Sequence, residues 1–110
     1  MPASIWLIKY GILVRDFFGH IPYQVGSSLE SKGWRDVDVR VILPDDEFTA
    51  MFGTNQSSET NPKLAAVTLA FAALGKHMTA LPIDFQVQPA TWANETYPGP
   101  RSALIDTTIL

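Results

Sequence analysis

The chain has no cysteine, which excludes disulfide frameworks, thiolate zinc sites and cysteine nucleophiles. Charge is scarce: 17% of residues are Asp, Glu, Lys or Arg against 46% hydrophobic, too apolar a balance for intrinsic disorder. Basic residues are outnumbered eight to eleven, giving −3, the wrong sign for a protein that coats a nucleic-acid backbone. Long hydrophobic runs are missing too. Residues 5–14 are apolar, but Lys9 interrupts them and Arg15-Asp16 ends them before a bilayer could be spanned. No basic residue precedes that run and no small-x-small cleavage site follows it, as a signal peptide would require. Residues 65–74 are similarly apolar and similarly short. The expectation is a soluble, cytoplasmic protein with no membrane partner.

A chain of 110 residues and 12.1 kDa is long enough to bury roughly two thirds of its unfolded surface, so one domain over residues 1–110 is expected. A first helix is expected over residues 4–18, with Ser4 as N-cap and Gly19 and Pro22 as the stop. Tyr23-Gln24-Val25 reads as a short strand ending in Gly26-Ser27-Ser28. Residues 36–43 read as a stronger strand with β-branched residues at alternate positions. Pro44 stops it, and Asp45-Asp46-Glu47 opens a short helix closed by Gly53, with Asp45 as its cap. Asn61-Pro62 starts a third helix ending at Gly75 or His77, and residues 83–88 form a third strand. The tail from Pro89 ends in a short helix or an extended piece. The expected class is α+β: a small mixed or antiparallel sheet of three to four strands with helices packed on one face.

Alternate side chains of a strand share a face. Asp36, Asp38 and Arg40 therefore face one way, and Val37, Val39 and Val41 the other. Asp84, Gln86 and Gln88 repeat this against Ile83, Phe85 and Val87. If the two strands are neighbours, three carboxylates meet on one side. Such alternation is ordinary for a solvated sheet face, but aspartate is among the poorest strand formers, and two of them at i and i+2 add like-charge repulsion. Hard oxygens so placed suit a divalent cation. The Gly26-Ser27-Ser28 turn, by itself weak, would let a phosphate approach the backbone.

Taken together, the Gly26-Ser27 turn, the Asp36-Val37-Asp38-Val39 strand and the Ile83-Asp84-Phe85 triplet resemble the DNA polymerase beta-type nucleotidyltransferases. Residues 22–88, with Pro98-Gly99-Pro100-Arg101, are similar to small nucleotidyltransferase-domain proteins of phages and bacteria. The resemblance implies a minimal nucleotidyltransferase fold. It implies that Asp36 and Asp38 are metal ligands, that Asp84 is the third acid near the acceptor hydroxyl, and that Gly26 and Ser27, with Ser28, bind triphosphate. Two Mg²⁺ or Mn²⁺ ions would serve as cofactors and a nucleoside triphosphate as substrate, with a protein or RNA hydroxyl as acceptor and a second copy or partner chain supplying its binding. Only eight residues separate Ser27 from Asp36, fewer than the family usually has.

Other residues divide between this chemistry and plain structure. Arg40 either touches a phosphate or relieves the aspartates, and Lys32 is a weaker phosphate contact. His20 and His77 have no partner at metal spacing. Trp6, Phe17, Phe18, Leu64, Val67, Phe71 and Leu74 are expected in the core, and Trp34 partly buried against a helix. The alternative to an enzyme is a catalytically silent nucleotide- or metal-binding regulatory module, such as an antitoxin-like partner protein; a third class is an interaction domain whose acids are only solvated.

Overall fold

In the computed structural model, which describes residues 3–25 and 36–105, helix α1 (Ala3–Phe18) runs through an apolar segment free of proline. It stops at Gly19, whose φ of 77° suits a residue without Cβ and whose N–H closes onto the Arg15 carbonyl. Then follow strand β1 (Tyr23–Val25), strand β2 (Val37–Leu43), helix α2 (Asp45–Phe52), helix α3 (Pro62–Thr79) and strand β3 (Ile83–Pro89). Two further elements follow among the described residues, helix α4 (Ala90–Thr96) and strand β4 (Arg101–Ala103).

The four strands make one mixed sheet in the order β3-β2-β1-β4. Strand β2 runs parallel to β3 and antiparallel to β1, and β4 is antiparallel to β1. The α+β class, the mixed sheet and its four strands agree with the sequence. Val37, Val39, Val41 and Leu43 on β2 and Ile83, Phe85 and Val87 on β3 are buried on one face. Tyr10, Val14 and Phe18 of α1, Phe48 and Phe52 of α2 and Leu64 of α3 join them in a single core.

Three local expectations are corrected. Asp45 does not cap α2: Pro44 stands at the N-cap without a side-chain bond, and Asp45 is the first helical residue. Its carboxylate instead accepts the Thr91 N–H at 3.0 Å, capping α4 across 46 residues of chain. These hydrogen bonds from Thr91 hold the Asp45 carboxyl below its ordinary range, so their contribution is lost as pH falls through that lowered value. Helix α3 runs past Gly75 and His77 to Thr79. Phe17, expected in the core, is 56% exposed, because α1 is apolar around most of its circumference and only part of it can meet α3 and the sheet. Asn61, by contrast, is the N-cap the sequence indicates. It accepts from Leu64 N–H and donates to the Phe52 and Asn55 carbonyls, tying the start of α3 to the end of α2.

Gly75 is buried where α3 meets α1 and β3. A Cβ there would lie 2.7 Å from the Ile83 Cγ1 and 3.0 Å from the Tyr10 ring. Neither neighbour yields easily, since Tyr10 is wholly buried and its hydroxyl donates to the Phe71 carbonyl at 2.7 Å. Burial also pushes the Tyr10 hydroxyl pKa up. Gly75→Ala is therefore expected to cost about 1–2 kcal/mol, overpacking outweighing the gain in helix propensity. Ala80, which closes α3 at φ 61°, gives the opposite case: Ala80→Gly should add about 0.5–1 kcal/mol by removing left-handed strain. Urea unfolding of the two variants checks both signs.

Candidate functional site

Burial of the valine face leaves the other face of the sheet to the remaining side chains, and the register decides which of them meet. Asp38 pairs with Asp84 across the β2–β3 ladder, Arg40 with Gln86 and Ile42 with Gln88. Antiparallel pairing adds Val25 beside Asp38 and Arg101 beside Val25. One row across the sheet thus reads Asp84, Asp38, Val25, Arg101. The next reads Gln86, Arg40, Tyr23, Ala103.

Asp38 and Asp84 stand side by side, as expected if the two strands are neighbours. Desolvation, with Arg40 opposing it, raises the Asp38 pKa above the ordinary carboxylate value; the charge of Asp84, a hydrogen bond to Asp84 and the charge of Asp36 push the same way. Adjacent like charges make ionisation of Asp38 costlier. Arg40 partly relieves the repulsion. Its guanidinium donates to the Asp84 carbonyl at 2.7 Å and reaches the Asp84 carboxylate at 3.4 Å, while only 13% of its side chain is exposed. Of the two roles open to Arg40, the ion pair is the one its contacts serve. Asp36 lies just before β2, exposed, and is felt at Asp38 through its charge.

Among the described residues, no group of three or more His, Asp or Glu side chains is gathered closely enough to hold a metal ion. Gly26, Ser27, Ser28, Lys32 and Trp34 lie outside the described residues. His20 contacts Glu47 at 2.9 Å, an exposed pair of small energetic weight.

The polar face is a cleft rather than an open surface. A cavity of about 560 Å³ has Asp38, Arg40, Gln86 and Gln88 on the sheet side and residues 96–101 on the other. The sequence indicates a turn at Tyr97-Pro98-Gly99-Pro100 but gives no hint that the turn walls this face. Arg101 and Tyr97 are the two residues so missed. Arg101 lines the cleft and donates to the Ala93 and Tyr97 carbonyls over 3.4 and 3.3 Å, long bonds that leave guanidinium donors for an anion. The only advance signal was a lone arginine after a Pro-Gly-Pro turn.

Chemically, the cleft offers the Asp38 carboxylate, two guanidinium groups and two amides around a space fit for a small organic anion, with Asp84 beside Asp38 on the neighbouring strand. Comparison with protein-family models, curated proteins and solved structures finds no match to this chain. No helix among the described residues is long and apolar enough to cross a membrane.

The raised pKa of Asp38 has a stability consequence. A carboxyl whose folded pKa is raised favours the folded state while protonated, and that stability is lost as pH climbs past the unfolded value of about 4. Asp38→Asn removes the cost of ionisation. The variant should be at least as stable as the parent at pH 7, and its excess over the parent should shrink as pH is lowered toward 4. Thermal unfolding at a series of pH values checks it; a variant destabilised at pH 7 would make Asp38 a structural residue.

Proposed function

We propose that this chain is a metal-dependent nucleotidyltransferase, transferring a nucleoside monophosphate from a nucleoside triphosphate to an acceptor hydroxyl on a protein or RNA. The observation that carries the reading is the Asp38–Asp84 pair in register, with Asp38 lining a cleft of nucleotide size. Two unfavourable choices coincide there, aspartate in a strand and like charges side by side. Such a coincidence is a recognised mark of a site whose cost a ligand offsets.

The donor chemistry fits a hard divalent cation: adjacent carboxylate oxygens whose mutual repulsion the ion would offset. Asp38 and Asp84 are the residues that would hold Mg²⁺ or Mn²⁺, and Asp36, just outside the strand, is assigned to the metal on the resemblance alone. Such ions, when bound, supply charge neutralisation to the triphosphate and lower the pKa of the attacking hydroxyl. The protein's own part is positioning and charge. Arg40 fixes Asp84 by binding both its carbonyl and one carboxylate oxygen; the other, held only by a long 3.5 Å bond from Gln86, would accept the proton of the acceptor hydroxyl. That hydroxyl oxygen bonds to the α-phosphorus as the α–β anhydride bond breaks and pyrophosphate leaves. Arg101, across the row, would meet the charge of the departing phosphates. Gly26, Ser27, Ser28 and Lys32 are assigned to the triphosphate on the resemblance alone. A cytoplasmic location, where nucleoside triphosphates are plentiful, belongs to the same reading.

A regulatory module that binds nucleotide or metal without turnover is the second reading. The observation favouring it is Arg40, committed to Asp84 rather than directed to a ligand.

Incubation of the chain with Mg²⁺, α-labelled nucleoside triphosphates and a host lysate tests the proposal. Transfer of label to a macromolecule is expected, with Asp38→Asn and Asp84→Asn each lowering it at least 100-fold, since removal of charge-stabilising groups at a transition state commonly costs that much. Mg²⁺ alone should raise the melting temperature of the parent and not of Asp38→Asn. Binding and thermal shift without transfer would support the regulatory reading; neither would leave the acids as a solvated face.

A further inference from the structure

Asp38, Arg40 and Arg101 account for only part of the cleft lining. Tyr97, Pro98 and Pro100 also line it, as do Gln86 and Gln88 from the sheet. Tyr97 is 58% exposed although it sits against this cavity, the largest exposure among the aromatic rings of the described residues. Its ring is not loose. Trp92, one turn and more back on α4, meets it edge-on at a centroid distance of 5.5 Å and 77°. Its backbone is fixed as well: the Tyr97 N–H closes α4 onto the Ala93 carbonyl at 2.9 Å, and its own carbonyl accepts from Arg101.

On the sheet side of the same cleft the amides form a chain. Gln88 donates to Gln86 at 3.2 Å, and Gln86 donates on to Asp84 at 3.5 Å. Each bond uses one hydrogen and one lone pair, so the exposed Gln86 keeps a second N–H and further acceptor capacity. A preset aromatic face, flat proline walls and an amide with adjacent donor and acceptor together match a planar heteroaromatic ring carrying donors and acceptors on its edge.

From this arrangement we infer that Tyr97, oriented by Trp92, is the stacking platform for the nucleobase of the bound nucleotide, and that Gln86 contacts the base edge. The inference rests on the nucleotidyl-transfer reading and adds to it the place and chemistry of base recognition. The phosphates then lie toward Asp38 and the Arg101 guanidinium, and the base against the Tyr97 ring. Stacking on an aromatic face tolerates all four bases, so discrimination falls to Gln86.

The test is calorimetric titration of the full chain, in Mg²⁺, with non-transferable α,β-methylene analogues of the four nucleoside triphosphates and with inorganic tripolyphosphate. The parent should bind at least one nucleotide analogue about tenfold or more tightly than tripolyphosphate. Tyr97→Ala should lose that margin while binding tripolyphosphate within about twofold of the parent, in line with the usual weight of base stacking. Tyr97→Phe should keep the margin, and Tyr97→Leu, which retains apolar bulk without a ring, should lose it and covers the case that alanine unfolds the segment. Gln86→Ala should narrow the differences among the four bases. If tripolyphosphate binds as tightly as every nucleotide, or if Tyr97→Ala and Tyr97→Leu both keep the margin, the inference is overturned and the transfer reading stands. If the parent binds neither nucleotide nor tripolyphosphate, both fall together.

Discussion

Parallel pairing of β2 with β3, in the register that sets Val39 beside Phe85, is the constraint on which the rest depends. The side-chain period of a strand is two, so burying Val37, Val39 and Val41 with Ile83, Phe85 and Val87 leaves no freedom on the opposite face. Asp38 must then lie beside Asp84 and Arg40 beside Gln86. A slip of one residue would bury the acids and expose the valines, a cost far above any gain from separating the charges. The apolar face of the sheet thus imposes the electrostatics of the polar one.

The acid pair survives because its cost is spread over several groups. One carboxyl takes a proton more readily, the two share a hydrogen bond, and Arg40 lies within reach of both. None of this abolishes the repulsion. Like charges directly opposite on neighbouring strands are destabilising, so this acid pair contributes little to holding the fold together. The core does that work, with Tyr10, Gly75 and Ile83 packed so closely that α1, α3 and β3 fix one another's position. Stability and chemistry are separated to opposite faces of one sheet.

The segment after β3 converts a sheet surface into a cleft. Helix α4 is only seven residues long and has no side-chain cap of its own; it is held by Asp45 from α2 and by burial of Ala93. Residues 96–101 then turn back so that β4 joins the far edge beside β1, and Arg101 enters the same row as the acids. An isolated helix of that length would be marginal in water, so its place comes from contacts that reach across the chain.

By itself the sequence determined the long elements and their faces. The spacing of valines on β2, the Asn61-Pro62 start of α3 and the Gly19 stop of α1 act through neighbours within one or two turns, and such signals are local. The three acids stood out for the same reason, since aspartate in an alternating strand breaks a local rule. Tertiary structure alone decided that Asp45 caps α4 rather than α2, that Gly75 is a packing contact rather than a helix stop, and that Phe17 faces outward. It also decided that Tyr97 and Arg101 close the cleft. Each of these depends on which distant segment supplies the hydrogen bond or the occupied space, and no spacing within a single element encodes that.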